Sequence, residues 1–528
     1  MHPFAAESEC AINLPQTPAA LRATRRPEKR DEPDPERDSA SLSRYRVGLL
    51  PALLALLMGL WGIRRENSMW RDESVTYQVA HRSLSEIWHL LGNADAVHGL
   101  YYFFMHALFA VGGDSLVTLR LPSVLATSVS AFLVAATGNR LVGPRTGLIG
   151  GLTFALLPMV QMYAQEGRSY AMVCALIALS TYLLVGTVDN SSRRRWTAYA
   201  LTVVAAGWLH EFAVLALPAH GLTLYLSRLP RAPMRSWAVA AGLSVVAVAP
   251  LALRSAGQSG QVSWIGWPHP GEWLVVAAVT LVGVLCAGYA TRPAEPATGT
   301  RARTGVLRLV RLALPLLIAP TATLLLASLH DPMYLDRYVL YSQLALALLI
   351  GVAVDRLWDA AGRTARPAAS RSRAVVFGTA AAGVVLALLP VTLQMRTPDS
   401  RKDDVTAIAA QVRTMASDDA GVLFMPARRR EWALSYPDDF RGLTDLALQR
   451  GPKADNTLEG TEFSADRIRV RLRAFDRIVA LTDPPGQPQD AFPEEAVKRD
   501  VLRQEFVVCR RVQAKGGQVT LYARPGRC

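Results

Sequence analysis

The stretch GIRRENSMWRDESVTYQVAHRSL places two adjacent carboxylates, Asp72 and Glu73, shortly after a long apolar run. A carboxylate with an ordinary pKa of about 4 is ionised at neutral pH, so it can take the proton of a weak nucleophile such as a hydroxyl while that hydroxyl attacks. Neighbours on a helix point about 100° apart, which divides the work. Asp72 is the expected general base, and Glu73 is the second catalytic carboxylate, orienting substrate or Arg71. Asp72 also suits the N-cap of a helix through ESVTYQVA, because Asp is favoured there and Glu fits the first turn.

More groups able to do chemistry recur at the ends of later apolar runs. HGLYYFFMHAL carries His98, Tyr101 and Tyr102, YAQEGRSYA carries Glu166, Arg168 and Tyr170, and LHDPMYLDRY carries His330, Arg337 and Tyr338. Cations and phenols at headgroup depth can bind the oxygens of a departing phosphate. Arg337 with Tyr338 is the first pair placed for this, and Arg168 with Tyr170 the second. Snorkelling and belt packing put the same residue types at the same depth. Glu166 can form a surface ion pair with Arg168, and His98 suits a bland interfacial position. No Cys or His cluster has zinc spacing, so no metal site is assigned; a divalent cation would need His210, His330 and Glu166 to meet. Trp264, Trp267 and Trp273 suit either a sugar stack or an aromatic belt.

Hydropathy gives the elements that must position these groups. Of 528 residues 51% are apolar and 19% charged, and the two sets are segregated. Runs long enough to cross a hydrocarbon core of about 30 Å as helices recur near 47–63, 118–139, 146–162, 171–187, 197–209, 213–227, 237–253, 273–290, 312–328, 338–354 and 374–393. These are eleven predicted spans of a polytopic α-helical membrane protein. The apolar part of HGLYYFFMHALFAVGG is too short to span and reads as a re-entrant or juxtamembrane helix in the first outer loop.

The net charge of +14 collects in Arg-rich loops, for example around Arg140, Arg194, Arg231, Arg303 and Arg363, which alternate with loops poor in basic residues. This positive-inside pattern makes the charge a topology signal, with no nucleic-acid partner implied. It predicts a multi-pass plasma-membrane protein with a cytoplasmic N terminus and an extracytoplasmic C-terminal domain.

Residues 1–46 have mixed charge and several prolines and read as a disordered cytoplasmic tail. Residues 47–394 form the expected membrane domain. Residues 395–528 read as a small extracytoplasmic α/β domain, with helices in DDVTAIAAQVRTM, DRIRVRLRAF and EEAVKRDVLRQ, strands in GVLFMP and DRIVALTDP, and a hairpin turning at Gly516 and Gly517. Cys509 and Cys528 share that domain, and sequence does not say whether they pair.

A transporter or lipid flippase needs polar groups near the midplane, where His220 is the main exception to an apolar interior. Chemistry at the interface instead suits a substrate whose reactive head reaches the surface while its tail stays in lipid. A polyprenyl-phosphate sugar meets both conditions. A scaffold that only presents the C-terminal domain is a third reading.

A first span followed by WRDE, HGLYYFFMHAL, RLPSVLA and YAQEGRSYAM resembles the GT-C membrane glycosyltransferases over roughly residues 47–355, in particular relatives of the protein O-mannosyltransferases and aminoarabinose transferases. The resemblance implies a GT-C fold and transfer of a sugar, mannose being the expected one, from a polyprenyl-phosphate donor in the bilayer. The acceptor would be a glycan, a glycolipid or a protein hydroxyl at the outer face. Attack opposite the phosphate would invert the anomeric carbon, with Asp72 as base. Glu166 stands where the resembling families hold sugar or acceptor, and His98 would line the acceptor side. Gly99 and Leu100 replace the usual prolines after the histidine, and the C-terminal domain lies outside the shared core.

Overall fold

Helices form wherever long apolar runs occur, because backbone polar groups in lipid must be satisfied within their own segment. The computed structural model describes residues 35–528 apart from 259, 261–264, 294–299, 364–369 and 418. Most of the expected tail, residues 1–34, and Trp264 therefore lie outside the described residues. In chain order the membrane part holds α1 (Pro35–Leu60), α2 (Arg71–Ala80), α3 (Leu84–Asn93), α4 (Gly99–Gly112), α5 (Leu116–Leu141), α6 (Pro144–Leu156), α7 (Pro158–Ala164) and α8 (Tyr170–Asp189). It continues with α9 (Arg193–Leu209), α10 (Ala216–Leu226), α11 (Arg231–Ala256), α12 (Pro270–Ala290), α13 (Thr300–Ala327), α14 (Ser342–Arg363) and α15 (Ser370–Gln394).

Each of the eleven predicted spans overlaps a helix, that over 146–162 two of them, and α2 to α4 occupy the loop after the first. Among the described residues seven helices are long and apolar enough to cross a membrane, or eight if α6 and α7 form one bent span. The protein is thus a multi-pass membrane protein. The segment expected as one span over 146–162 is broken: α6 and α7 meet at 63°. Pro158 is the cause. It has no N–H to continue the ladder and forces Leu157 into an extended conformation (φ −61°, ψ 127°).

Small residues let helices approach backbone to backbone. A Cβ on Gly351 of α14 would lie 2.8 Å from both Gly150 N and Thr146 O of α6. At one end of the bundle Arg140 and Arg308 both pair with Asp189, and Arg145 pairs with Asp355 and Asp359. These pairs gather the ends of α5, α8 and α14 with the starts of α6 and α13. Chain direction then puts α2, the α7–α8 connection and the segment before α14 together at the other end.

The C-terminal part contains α16 (Val405–Met415), α17 (Glu431–Ser435), α18 (Ala465–Arg473) and α19 (Pro493–Glu505). Its strands are β1 (Gly421–Met425), β2 (Thr444–Asp445), β3 (Leu448–Arg450), β4 (Thr461–Glu462), β5 (Arg477–Thr482), β6 (Val507–Ala514) and β7 (Gly517–Ala523). Five strands make a sheet in the order β2-β1-β5-β7-β6, parallel from β2 to β5 and antiparallel beyond. Every residue of β1 is buried, as a strand covered on both faces requires. Gly516 turns the β6–β7 hairpin at φ +80°, and a disulfide joins Cys509 to Cys528.

Candidate active site

α2 starts at Arg71, and the extended Trp70 before it offers no side-chain cap. Asp72 is therefore a first-turn residue and not the N-cap that its type also suited. Its Oδ2 lies 3.2 Å from Nη2 of Arg337. Arg337 comes from the tight turn Asp336–Val339 just before α14. That turn is held by Asp336, whose Oδ1 accepts the Arg337 N–H at 2.8 Å and the Tyr163 hydroxyl at 2.6 Å. The rings of Trp70, Tyr170 and Tyr338 lie 5.5–5.8 Å from the Arg337 guanidinium, close enough for cation–π attraction. Burial pushes the Asp72 carboxyl up, but Arg337, Arg168 and Arg71 outweigh it and hold the group below its ordinary value. Asp72 is an anion at neutral pH.

Beside this pair the rings of His98, Tyr170, His210 and Tyr338 form a cluster, with His210 4.5 Å from Tyr338 and 5.7 Å from His98 between centroids. Burial drives both histidines well below their ordinary pKa, helped by Arg168 and Arg337, so both are neutral. Nδ1 of each is buried without a hydrogen-bond partner. Arg168 donates to the Tyr102 hydroxyl at 3.1 Å and lies 3.9 Å from Asp95. Tyr102 in turn donates to Asp95. Tyr101 is fully buried in the core, its hydroxyl unpartnered. The expected residues His98, Tyr102, Arg168, Tyr170, Arg337 and Tyr338 thus meet around Asp72.

Glu73 departs from expectation. It neither shares the pocket as a second catalytic carboxylate nor orients Arg71. It is fully buried and faces away from Asp72 into the membrane part. There Arg120 holds both its oxygens at 2.7 Å, Arg65 approaches to 3.3 Å and the Gly167 N–H donates at 3.1 Å. These partners overcome the cost of burial and press its pKa down to about 2. Gly167 must be glycine at this approach, since a Cβ there would lie 2.6 Å from Leu119. Glu73 therefore ties α2, α5 and the α7–α8 connection together. Arg120 opens the RLPSVLA stretch, but nothing in that spacing assigned it to Glu73.

Glu166 is buried, and neither carboxylate oxygen has a hydrogen-bond partner. It does not make the ion pair with Arg168 that adjacency allowed. Burial, only partly offset by Arg401 and Arg337, raises its pKa to about 7. Glu166 and Arg337 line one cavity of about 500 Å³ together with Tyr163, Ser400, Arg401 and Lys402. The lining also holds the carboxylates Glu272 and Asp336 and the apolar side chains Val275, Val276 and Val279 of α12, Leu317 of α13 and Met159 and Met162 of α7. Arg337, Arg401 and Lys402 offer cations to an anion there, and the apolar residues offer contact to a hydrocarbon.

His330 is exposed in the turn after α13 and stays apart from these groups; it is corrected from substrate contact to surface. Among the described residues no three His, Cys, Asp or Glu side chains are placed to hold a metal ion. His220 is satisfied in the core, bonded to the Tyr199 hydroxyl at 2.9 Å and to Thr181 Oγ1 at 3.0 Å.

Residues 99–253 match the family described as dolichyl-phosphate-mannose-protein mannosyltransferase. The fold matches ArnT from Cupriavidus metallidurans in the apo state with a TM-score of 0.56 at 13% identity, over 89% of this chain and 97% of that one. The chain has the fold of this membrane transferase, and its residues 99–253 are similar to that mannosyltransferase family. The same ArnT bound to undecaprenyl phosphate matches this chain with a TM-score of 0.54 at 13% identity, over 89% and 97% of the two chains. At such identity the structural likeness concerns the fold. No curated protein matches the sequence.

Proposed function

We propose that this protein is a GT-C glycosyltransferase that moves a sugar, mannose by the family match, from a polyprenyl-phosphate donor to an acceptor hydroxyl at the extracytoplasmic face of the plasma membrane. Its N terminus is then cytoplasmic, 47–394 is the catalytic membrane domain and 395–528 the extracytoplasmic domain. One observation carries this reading: Arg337 both touches Asp72 and lines a cavity whose wall combines Arg401 and Lys402 with apolar side chains of α7, α12 and α13. A donor phosphate at Arg337 and Arg401 would leave the prenyl chain along α12, as charge-assisted binding and apolar burial each require.

The geometry supports an inverting displacement. Asp72 takes the acceptor O–H proton while that oxygen forms its bond to the anomeric carbon. The bond from that carbon to the phosphate oxygen breaks, and its electron pair leaves with the phosphate, whose charge Arg337 meets. As Arg337 turns to the phosphate it loosens its hold on Asp72, so the base strengthens when a donor is present. The neutral His98 and His210, with Tyr170 and Tyr338 as ring walls, offer unpartnered nitrogens to sugar or acceptor hydroxyls. The satisfied bonds of His220 give a transport reading nothing to work with.

The test is transfer from radiolabelled polyprenyl-phosphate mannose in membranes carrying wild type, Asp72→Asn or Arg337→Ala. Loss of label transfer in both variants is expected; undiminished transfer in both removes the assignment.

A further inference from the structure

A segment distant in sequence builds the start of α2. Asp403, between α15 and α16, accepts the backbone N–H of Arg71, the first residue of α2, at 2.7 Å. Thr406 Oγ1 accepts the Met69 N–H at 2.9 Å, and Val405 donates its own N–H to Met69 O at 2.9 Å. The first N–H groups of a helix have no partner within it, and an anion there is favoured by the helix dipole. Trp70 supplies no cap. Asp403 fills that place from the other end of the chain.

A second attachment lies one turn further along. The Arg71 Nε donates to the fully buried Glu431 at the start of α17. The Ser74 and Ser435 hydroxyls meet at 2.6 Å. Glu73, between these contacts, is held by Arg120. The neighbours of Asp72 on both sides are therefore fixed, Arg71 by the C-terminal domain and Glu73 by Arg120, and Ser74 adds a further tie to that domain.

We infer that the C-terminal domain positions the general base: Asp403 and Glu431 are positioning residues that hold α2 so that Asp72 points at Arg337. Both bond to Arg71, the first residue of α2, one at its backbone N–H and the other at its side chain, so they act through α2. The inference rests on the proposed role of Asp72.

Asp403→Asn and Glu431→Gln, made in the full chain and reconstituted in lipid nanodiscs, test it with two readouts. Hydrogen exchange across 69–76 is expected to rise in both variants while that of β5 stays at the wild-type level. With polyprenyl-phosphate mannose, kcat is expected to fall about ten- to a hundredfold, as a displaced catalytic group implies, with donor KM within about threefold. A Ser74→Cys/Ser435→Cys cross-link should restore most of the kcat lost in Glu431→Gln, which a merely misfolded variant would not regain. Thr406→Val, which removes the acceptor for the Met69 N–H together with the hydroxyl's bonds to Asn67 O and Tyr436, should show the same exchange change in milder form. Wild-type exchange in 69–76, or wild-type kcat in both variants where Asp72→Asn is inactive, overturns the inference. A wild type that transfers no label refutes the proposed reaction, and the exchange data still judge the clamp.

Discussion

Arg337 Nη2 sits 3.2 Å from Asp72 Oδ2, joining the turn before α14 to the first turn of α2. The pair is only modestly accessible, at 6% for Arg337 and 18% for Asp72, so each group strongly sets the charge state of the other. Replacing Asp72 by Asn keeps shape and removes the proton acceptor. Transfer should fall by about 10²- to 10⁴-fold, the usual worth of a general base, with little change in donor KM. Arg337→Lys should recover part of what Arg337→Ala loses, since an ammonium keeps the charge but not the planar fork. Steady-state kinetics on the three variants check both expectations.

Glu166 gives the site a pH dependence. Its pKa of about 7 reflects burial only partly offset by Arg401 and Arg337. Below that pH the group is neutral and leaves both guanidiniums to the phosphate; above it the carboxylate competes for them and repels the donor. Donor KM should therefore rise as pH passes upward through about 7, and Glu166→Gln should flatten the profile. A wild-type inflection that persists in Glu166→Gln assigns the titration to another group.

Glu73→Gln is predicted to act on stability. It leaves Arg120 and Arg65 as buried cations short of an anion, a loss of about 3–5 kcal/mol for a broken buried pair, read as a lower thermal midpoint in detergent. The native pKa of about 2 is depressed from 4.5. The contribution is thus fully present above about pH 4.5 and is lost as pH falls toward 2. The difference between Glu73→Gln and wild type should shrink on acidification over that window.

Arg401→Ala tests the cavity as the donor site. Arg401 lines it and is buried, donating to Met162 O at 2.8 Å. Donor KM should increase by about tenfold, the scale of a charge-assisted hydrogen bond, while the transfer step at Asp72 keeps its rate. A fall in kcat at unchanged KM would place the phosphate elsewhere.

Much of this protein is legible in one dimension, because lipid and sheet each impose a local pattern. Apolar length marks the helices, the alternation of Arg-rich loops sets their expected order in the bilayer, and the periodicity after Gln394 locates α16, β1, α18, β5, α19 and the β6–β7 hairpin. Asp72, Arg168 and Arg337 stand out as charges at the edges of apolar runs. What sequence leaves open is which charge answers which. Asp72 and Glu73 are adjacent and alike, yet one faces Arg337 and the other Arg120, because successive helical side chains diverge by about 100°. Asp403 and Glu431 carry no local signal of their role, and the sequence neighbourhoods of Arg120 and His210 do not name their partners, since each acts on a group far along the chain. Only the packing of α2 against α5 and the C-terminal domain decides those pairings, through contacts that no spacing in the sequence encodes.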